Sequence, residues 1–277
     1  MSVLVRTCDS VREAAQLLIR EKGARLLAGG TLLMRALNEG DQKISSLVIA
    51  NDPFLTDIRQ LGSRVQIGAC ATMSAILSNR DLSFLHSAAQ AIGGPAVRNM
   101  ATVGGNLYAP RPYGDFATAL LALDATVSIQ SGYSAREMTL EQFIASSERQ
   151  AGAFVTSVQL SRPAAPEAFR FSKISRVKPK GISVLSIAIH AGERLGRLSN
   201  VRVAYGAMAE STMRAKAVER TLEGRVLDDA AIAAAKAVAC EGCSPRTDAI
   251  ATDWYRREIL PIHLGRTLAE LRIKKAS

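Results

Sequence analysis

VRNMATVGGNLYAPRPYGDFATALLALD, residues 97–124, is the stretch on which the reading of this 277-residue chain turns. A small-residue, apolar segment runs into Thr102-Val103-Gly104-Gly105-Asn106. A proline-rich bend with a single acid, Asp115, follows, and then a short apolar helix. Two adjacent glycines predict a backbone pressed against something that leaves no room for a Cβ. A second pair, Gly29-Gly30 in LLAGGT, lies about 75 residues earlier in a matching context. There the order is strand (Arg25 to Ala28), Gly-Gly, then a helix (LLMRALNEG) that Thr31 can cap. Free amides and a helix dipole converge at such a point, which suits an anion; a plain tight turn is the alternative for either pair alone. Together the two loops predict one phosphate-bearing cofactor held by two subdomains.

Outward from these loops the chain alternates short strands and helices. Ser10 precedes an amphipathic helix that Gly23 ends. Ser46–Ala50 and Arg64–Cys70 read as strands, and Thr72 opens a helix. Phe84 to Ile92 forms another helix, broken by Gly93-Gly94-Pro95. After the central stretch, Ala125–Gln130 and Ala153–Leu160 are strands, with a short helix at Leu140–Ala145. Arg162-Pro163-Ala164-Ala165-Pro166 is the linker candidate. Beyond it come three strand-like runs (168–175, 182–191, 198–207). Helices then follow over Met213–Glu223, Asp228–Cys240 and Asp253–Arg272. The last carries a stripe of Leu260, Leu264, Leu268 and Leu271, and Pro261 predicts a kink or a restart. Strands followed by helices make this a separate α+β domain.

Composition excludes several classes. Apolar residues make up 48% and charged residues 22%, an ordinary globular balance. No apolar run approaches the roughly 18 residues of a membrane span, and no secretory signal opens the chain, so the cytoplasm is the expected compartment. The net charge of +10 is spread evenly. Its densest basic run, Lys173 to Lys180, contains no aromatic residue, which argues against nucleic-acid binding. Cys240-x-x-Cys243 has no further soft ligands nearby and closes a helical pattern rather than opening one; it reads as neither a metal nor a redox site. His86, His190 and His263 lack ligand spacing, and no catalytic residue is assigned. A P-loop and a Rossmann fingerprint are absent.

LLAGGT, IGACATMSAI (67–76), IGGPAVRNMATVGGN with Asp115, and ALLALDA closely resemble one family, the FAD-binding medium subunit of the molybdenum hydroxylases. That group includes the xanthine, carbon monoxide and nicotinate dehydrogenases. VAYGAMAESTMRAKAVERTLEG (203–224) and TDWYRREILPIHL (252–264) extend the resemblance over nearly the whole chain. The resemblance implies an α+β chain: a two-subdomain FAD-binding domain of the vanillyl-alcohol-oxidase/PCMH type over 1–162 (subdomains 1–57 and 58–162). A smaller C-terminal flavoprotein domain, a three-stranded sheet plus helices, would occupy 167–277.

The resemblance also implies a site. Leu26, Leu27, Ala28, Gly29, Gly30, Thr31, Leu32 and Leu33 would form a first FAD loop whose amides meet the pyrophosphate. Thr102, Val103, Gly104, Gly105 and Asn106 would form a second loop. Asp115 would hydrogen-bond the cofactor's hydroxyls, and Ile92, Val155 and Lys173 would lie near the flavin. No metal is expected in this chain. The implied complex is a dimer of heterotrimers, with a large molybdopterin-binding subunit that hydroxylates substrate and a small [2Fe-2S] subunit. Electrons would leave through FAD to NAD or another acceptor. A cofactor-free scaffold and a basic nucleic-acid-binding protein are the alternatives. Two features depart from the family pattern. Leu32 stands where many relatives carry an acid, and the bend after GGN carries Tyr108, Arg111 and Tyr113. Arg111 either affects access to FAD or faces solvent.

Overall fold

Ser10 Oγ accepts from the Glu13 amide at 3.2 Å and starts the helix Val11–Arg20 where the sequence places it. In the computed structural model, which describes residues 3–146, 152–177 and 181–275, this helix lays Ala14 and Ala15 into a core with Cys8, Val48, Leu55 and Phe154. The last three residues of the basic run, 178–180, lie outside the described residues.

Contacts divide the chain into two compact units, neither of them continuous in sequence. The first comprises residues 1–78, 92–109 and 125–161. It holds β1 (Leu4–Cys8), β2 (Ala24–Leu26) and β3 (Ser46–Ala50) in a parallel sheet of order β1-β3-β2. Its second sheet is antiparallel and built from β4 (Ile58–Leu61), β5 (Arg64–Gly68), β6 (Thr126–Ser131), β7 (Ser134–Thr139) and β8 (Phe154–Ser161). The order is β4-β5-β8-β6-β7. Thr72 Oγ1 accepts from the Ala75 amide at 3.1 Å and opens the helix Met73–Ser78 as expected.

The second unit comprises residues 79–91, 110–124 and 162–277. β9 (Phe169–Ser175), β10 (Ser183–Arg194), β11 (Arg197–Gly206) and β12 (Met213–Arg214) form an antiparallel sheet of order β12-β11-β10-β9. The three long strands are those the sequence predicts; the two-residue β12 adds a fourth at the edge. The helix Asp115–Ala122 is buried at all eight positions and packs on β10 and β11. Helices Lys216–Leu222, Asp229–Ala237 and Asp253–Lys275 complete the unit. Leu260, Leu264, Leu268 and Leu271 are fully buried, so the leucine stripe does face the core. Arg256, one turn ahead of that stripe, is also buried, and every donor has a destination. Its Nε donates to Val184 O at 2.8 Å, Nη1 to the carbonyls of Arg246 and Ala251, and Nη2 to both oxygens of Asp248. Burial of Asp248 alone would raise its pKa; the Ala251 and Ile250 amides and the Arg256 guanidinium bring it below the ordinary value.

Several local expectations change. Thr31 does not cap the helix after the first glycine pair: that helix is Leu33–Asn38, with Leu32 at the cap position and no side-chain cap. Gly30 at φ +70° turns the chain so that its own carbonyl accepts from the Met34 amide at 2.8 Å. Residues 80–85 form a 3-10 helix, and only His86–Gln90 is α-helical within the expected 84–92 helix. Met213–Arg214 leaves the expected 213–223 helix because it pairs with Ala204 and Tyr205. Arg214 is there bound to Asp124 at 2.7 Å and to Glu219 at 2.6 Å. The last helix continues through Pro261 rather than restarting. No helix of the described residues is long and apolar enough to cross a membrane.

Candidate functional site

The first glycine loop is fixed by contact with the chain segment leading into the second. A Cβ on Gly29 would sit 1.6 Å from the carbonyl oxygen of Met100, so no other residue fits there. The consequence lies in the hydrogen bonding. Leu27 donates to Val48 O at 2.8 Å, and Met34 is the next amide with an acceptor. In between, the N–H groups of Ala28, Gly29, Gly30, Thr31, Leu32 and Leu33 have no acceptor among the described residues. The loop is partly exposed. Six successive donors with no protein acceptor are chemically suited to an anion with several oxygens.

The second loop has a different arrangement. Val103 donates to Ala71 O at 3.0 Å, Gly104 to Ala69 O at 2.7 Å, Gly105 to Thr102 Oγ1 at 3.0 Å and Asn106 to Thr102 O at 3.1 Å. Thr102 is thus the N-cap of the short helix Val103–Tyr108. Asn106 Nδ2 also returns to Thr102 O at 2.9 Å. A Cβ on Gly104 would meet the Ala69 Cβ at 2.9 Å and its carbonyl oxygen at 3.0 Å. This loop therefore packs on residues 69–71 through Val103 and Gly104, while Gly105 and Asn106 bond back to Thr102. It can wall a ligand, while the first loop supplies the donors. Each loop leads into a helix of six residues, so the open amides carry the attraction for an anion rather than a long helix dipole.

Elsewhere in the first unit, Val155 is buried in β8 and its amide donates to Tyr108 Oη at 3.1 Å. Tyr108 packs edge-on against Phe143 at 5.6 Å, which makes it a brace between the second loop and β8. Ile92 lies in the turn before Pro95, where its carbonyl and that of Gly93 accept from Arg98.

In the second unit Asp115 opens its buried helix. Lys173 Nζ lies 3.0 Å from Asp115 Oδ2 and 2.8 Å from the Ala91 carbonyl oxygen. Ser183 Oγ is 2.7 and 2.6 Å from the two carboxylate oxygens. The structure thus joins Asp115 to Lys173, two of the residues singled out in the sequence, and adds Ser183, which belongs to no motif and left no sequence signal. Arg111 neither lies free nor faces open solvent. It donates to Ala209 O at 2.8 Å and to Glu210 at 2.7 Å, holding the Pro110–Gly114 bend to its own unit. The C-x-x-C pair is a pair of free thiols. Burial raises the Cys240 pKa and pushes Cys243 up to about 12, so neither is a thiolate at neutral pH. Among the described residues no group of three His, Cys, Asp or Glu could hold a metal ion.

Six donors without an acceptor among the described residues, on a loop that only glycine can shape, are the feature of this unit whose chemistry suits a phosphate-bearing cofactor. Residues 3–163 match the model of the FAD-binding domain in molybdopterin dehydrogenase, and residues 169–271 match the carbon monoxide dehydrogenase flavoprotein C-terminal domain. The glyceraldehyde dehydrogenase medium chain of Sulfolobus acidocaldarius is 25% identical over 92% of this chain and 92% of its own. The 6-hydroxypseudooxynicotine dehydrogenase complex subunit alpha of Paenarthrobacter nicotinovorans is 28% identical over 95% of this chain and 92% of its own. The solved carbon monoxide dehydrogenase of Hydrogenophaga pseudoflava includes a chain that superposes with a TM-score of 0.92 at 25% identity, covering 99% and 98% of the two chains. The chain belongs to the family of FAD-binding subunits of the molybdenum hydroxylases, and is an oxidoreductase subunit.

Proposed function

We propose that this chain is the electron-exit subunit of a molybdenum-containing dehydrogenase. Substrate is hydroxylated in a large molybdopterin-binding subunit. Electrons pass through the [2Fe-2S] clusters of a small subunit and leave by way of the FAD held here, to NAD or another acceptor. The working assembly is a dimer of heterotrimers in the cytoplasm. When bound, FAD supplies the exchange between single-electron donors and the terminal acceptor.

This chain's residues bind and orient the cofactor. The amides of Ala28–Leu33 receive the pyrophosphate oxygens, with Leu26 and Leu27 setting the loop's entry. Leu32, at the position where many relatives carry an acid, contributes its N–H to this set, so the missing acid removes no phosphate donor. Thr102–Asn106 forms the wall, and Met100, on the segment leading into it, fixes the first loop's course through its contact with Gly29. Asp115 accepts from the cofactor's hydroxyls, with Lys173 holding it, and Ile92 and Val155 line the flavin. The run of six successive amides without a protein acceptor carries the reading: they are accessible, and a bound phosphate would satisfy several of them at once.

The test is titration of the purified chain, freed of bound nucleotide, with FAD and separately with FMN and ADP. One FAD per chain with quenched flavin fluorescence is expected. A colourless protein that takes up no FAD would leave the scaffold reading in its place. Reduction of the bound flavin by added NADH would identify NAD as the acceptor; its absence would point to another.

A further inference from the structure

We propose that Ser183 is a positioning residue for the cofactor: it fixes the carboxylate of Asp115 in the orientation in which Asp115 accepts the cofactor's hydroxyls. The inference rests on the reading of Asp115 given above.

Asp115 stands at the first position of a helix with no exposed face, and its side chain is 7% exposed. An ionised carboxylate there needs donors, and the structure supplies them from two strands of one sheet. Lys173 comes from β9, its side chain 13% exposed, and its ammonium is itself anchored by the Ala91 carbonyl. Ser183 opens β10 and is 2% exposed. The two donors do different things. Lys173 approaches one oxygen, Oδ2, and balances the charge. Ser183 Oγ lies within 2.7 Å of both oxygens, so the plane of the carboxylate cannot turn about its last torsion without losing that contact. A carboxylate has about four acceptor directions. One hydroxyl proton and one ammonium proton use about two of them, and a fixed pair remains for a ligand's hydroxyl groups. Loss of Lys173 would strand a buried charge and confound binding with folding. Loss of the Ser183 hydroxyl leaves the ion pair in place, so it isolates orientation from charge.

The experiment is a double-mutant cycle on the full chain, read by FAD fluorescence quenching and by thermal melting without FAD. Ser183→Ala is expected to raise the Kd for FAD about tenfold; because the hydrogen bond is present without FAD, the melting temperature of the free chain is also expected to fall, by about 2–4 °C, with the fold retained. Ser183→Thr, which keeps the hydroxyl on a strand-compatible side chain, is expected to restore the Kd to within about threefold. In an Asp115→Ala background Ser183→Ala is expected to have no further effect. A wild-type Kd for Ser183→Ala would overturn the inference, as would an equal loss in both backgrounds. Those results leave the FAD reading intact. Failure of the wild-type chain to bind FAD, or an unchanged Kd for Asp115→Ala, would remove the reading beneath it and the inference with it.

Discussion

Gly29-Gly30 and Gly104-Gly105 are the same dipeptide in similar sequence surroundings, yet one loop leaves its donors open and the other pairs every amide from Val103 to Asn106. Ala28–Leu33 has six amides without an acceptor among the described residues; Val103–Asn106 has four amides, each with one. The difference lies in what each glycine is pressed against. Gly29 meets a carbonyl oxygen that no amide of its own loop reaches, so its contact is purely steric. Gly104 meets Ala69 at the same place where its amide finds an acceptor. A glycine pair therefore marks close approach, and only the fate of the neighbouring amides separates a loop with donors to spare from one whose donors are used within the protein.

The largest effect is expected at the steric contact of the open loop. Gly29→Ala places a Cβ 1.6 Å from a backbone oxygen, which no rotamer relieves. We expect FAD to be absent from the purified protein and stability to fall by about 3 kcal/mol or more, measured by flavin content and denaturant melts. Gly104→Val comes next, because Ala69 has to give way; Gly105→Val follows, its first clash being with the side chain of Thr102. Both are expected to abolish FAD retention by moving the wall, and retention by both would show that the second loop is wrongly assigned. Thr102→Ala should cost about 1 kcal/mol of stability through the lost cap, yet change the Kd for FAD less than about threefold, since the Gly105 amide it frees serves the cap and not the open donor run. A large loss of affinity there would erase the contrast between the loops. Cys243→Ser is expected to leave FAD retention unchanged. In the native protein iodoacetamide at pH 8 should leave Cys243 unlabelled, since a thiol pushed up to about 12 is protonated there.

Much of this was legible before any coordinates, and what escaped has a pattern. The buried strands β3, β5, β6, β8, β10 and β11 announce themselves by runs of Val, Ile, Leu and Ala. The four strands that did not are β1, β4, β7 and β12, and each lies at the edge of its sheet. Residues Ser134–Thr139 and Ile58–Leu61 are almost wholly exposed, so no hydrophobic alternation is imprinted on them. Met213–Arg214 belongs by local propensity to the helix that follows, and its pairing with β11 together with the Arg214 ion pairs overrides that preference. At the site, the glycine pairs and Asp115 are visible as residue types in order. Ser183 is not, because a serine in ISVLSIA carries no mark of the carboxylate 68 residues earlier that it contacts. Arg111 looked like a departure that could alter a cofactor; its hydrogen bonds to Ala209 and Glu210 show that it anchors a bend.

The wholly buried helix Asp115–Ala122 has a consequence for biosynthesis. The strands that cover it, β10 and β11, end at Arg194 and Gly206, so the ribosome finishes the helix about 80 residues before its cover is complete. At roughly 5–20 residues per second this is an interval on the order of 4–16 s in which a largely apolar eight-residue segment lacks its sheet, with the short helix His86–Gln90 already made beside it. The nascent chain has to shield that segment or lend it to a chaperone, and the position of the helix in the reading frame, as much as its chemistry, makes it the step at which translation speed and correct folding of this subunit meet.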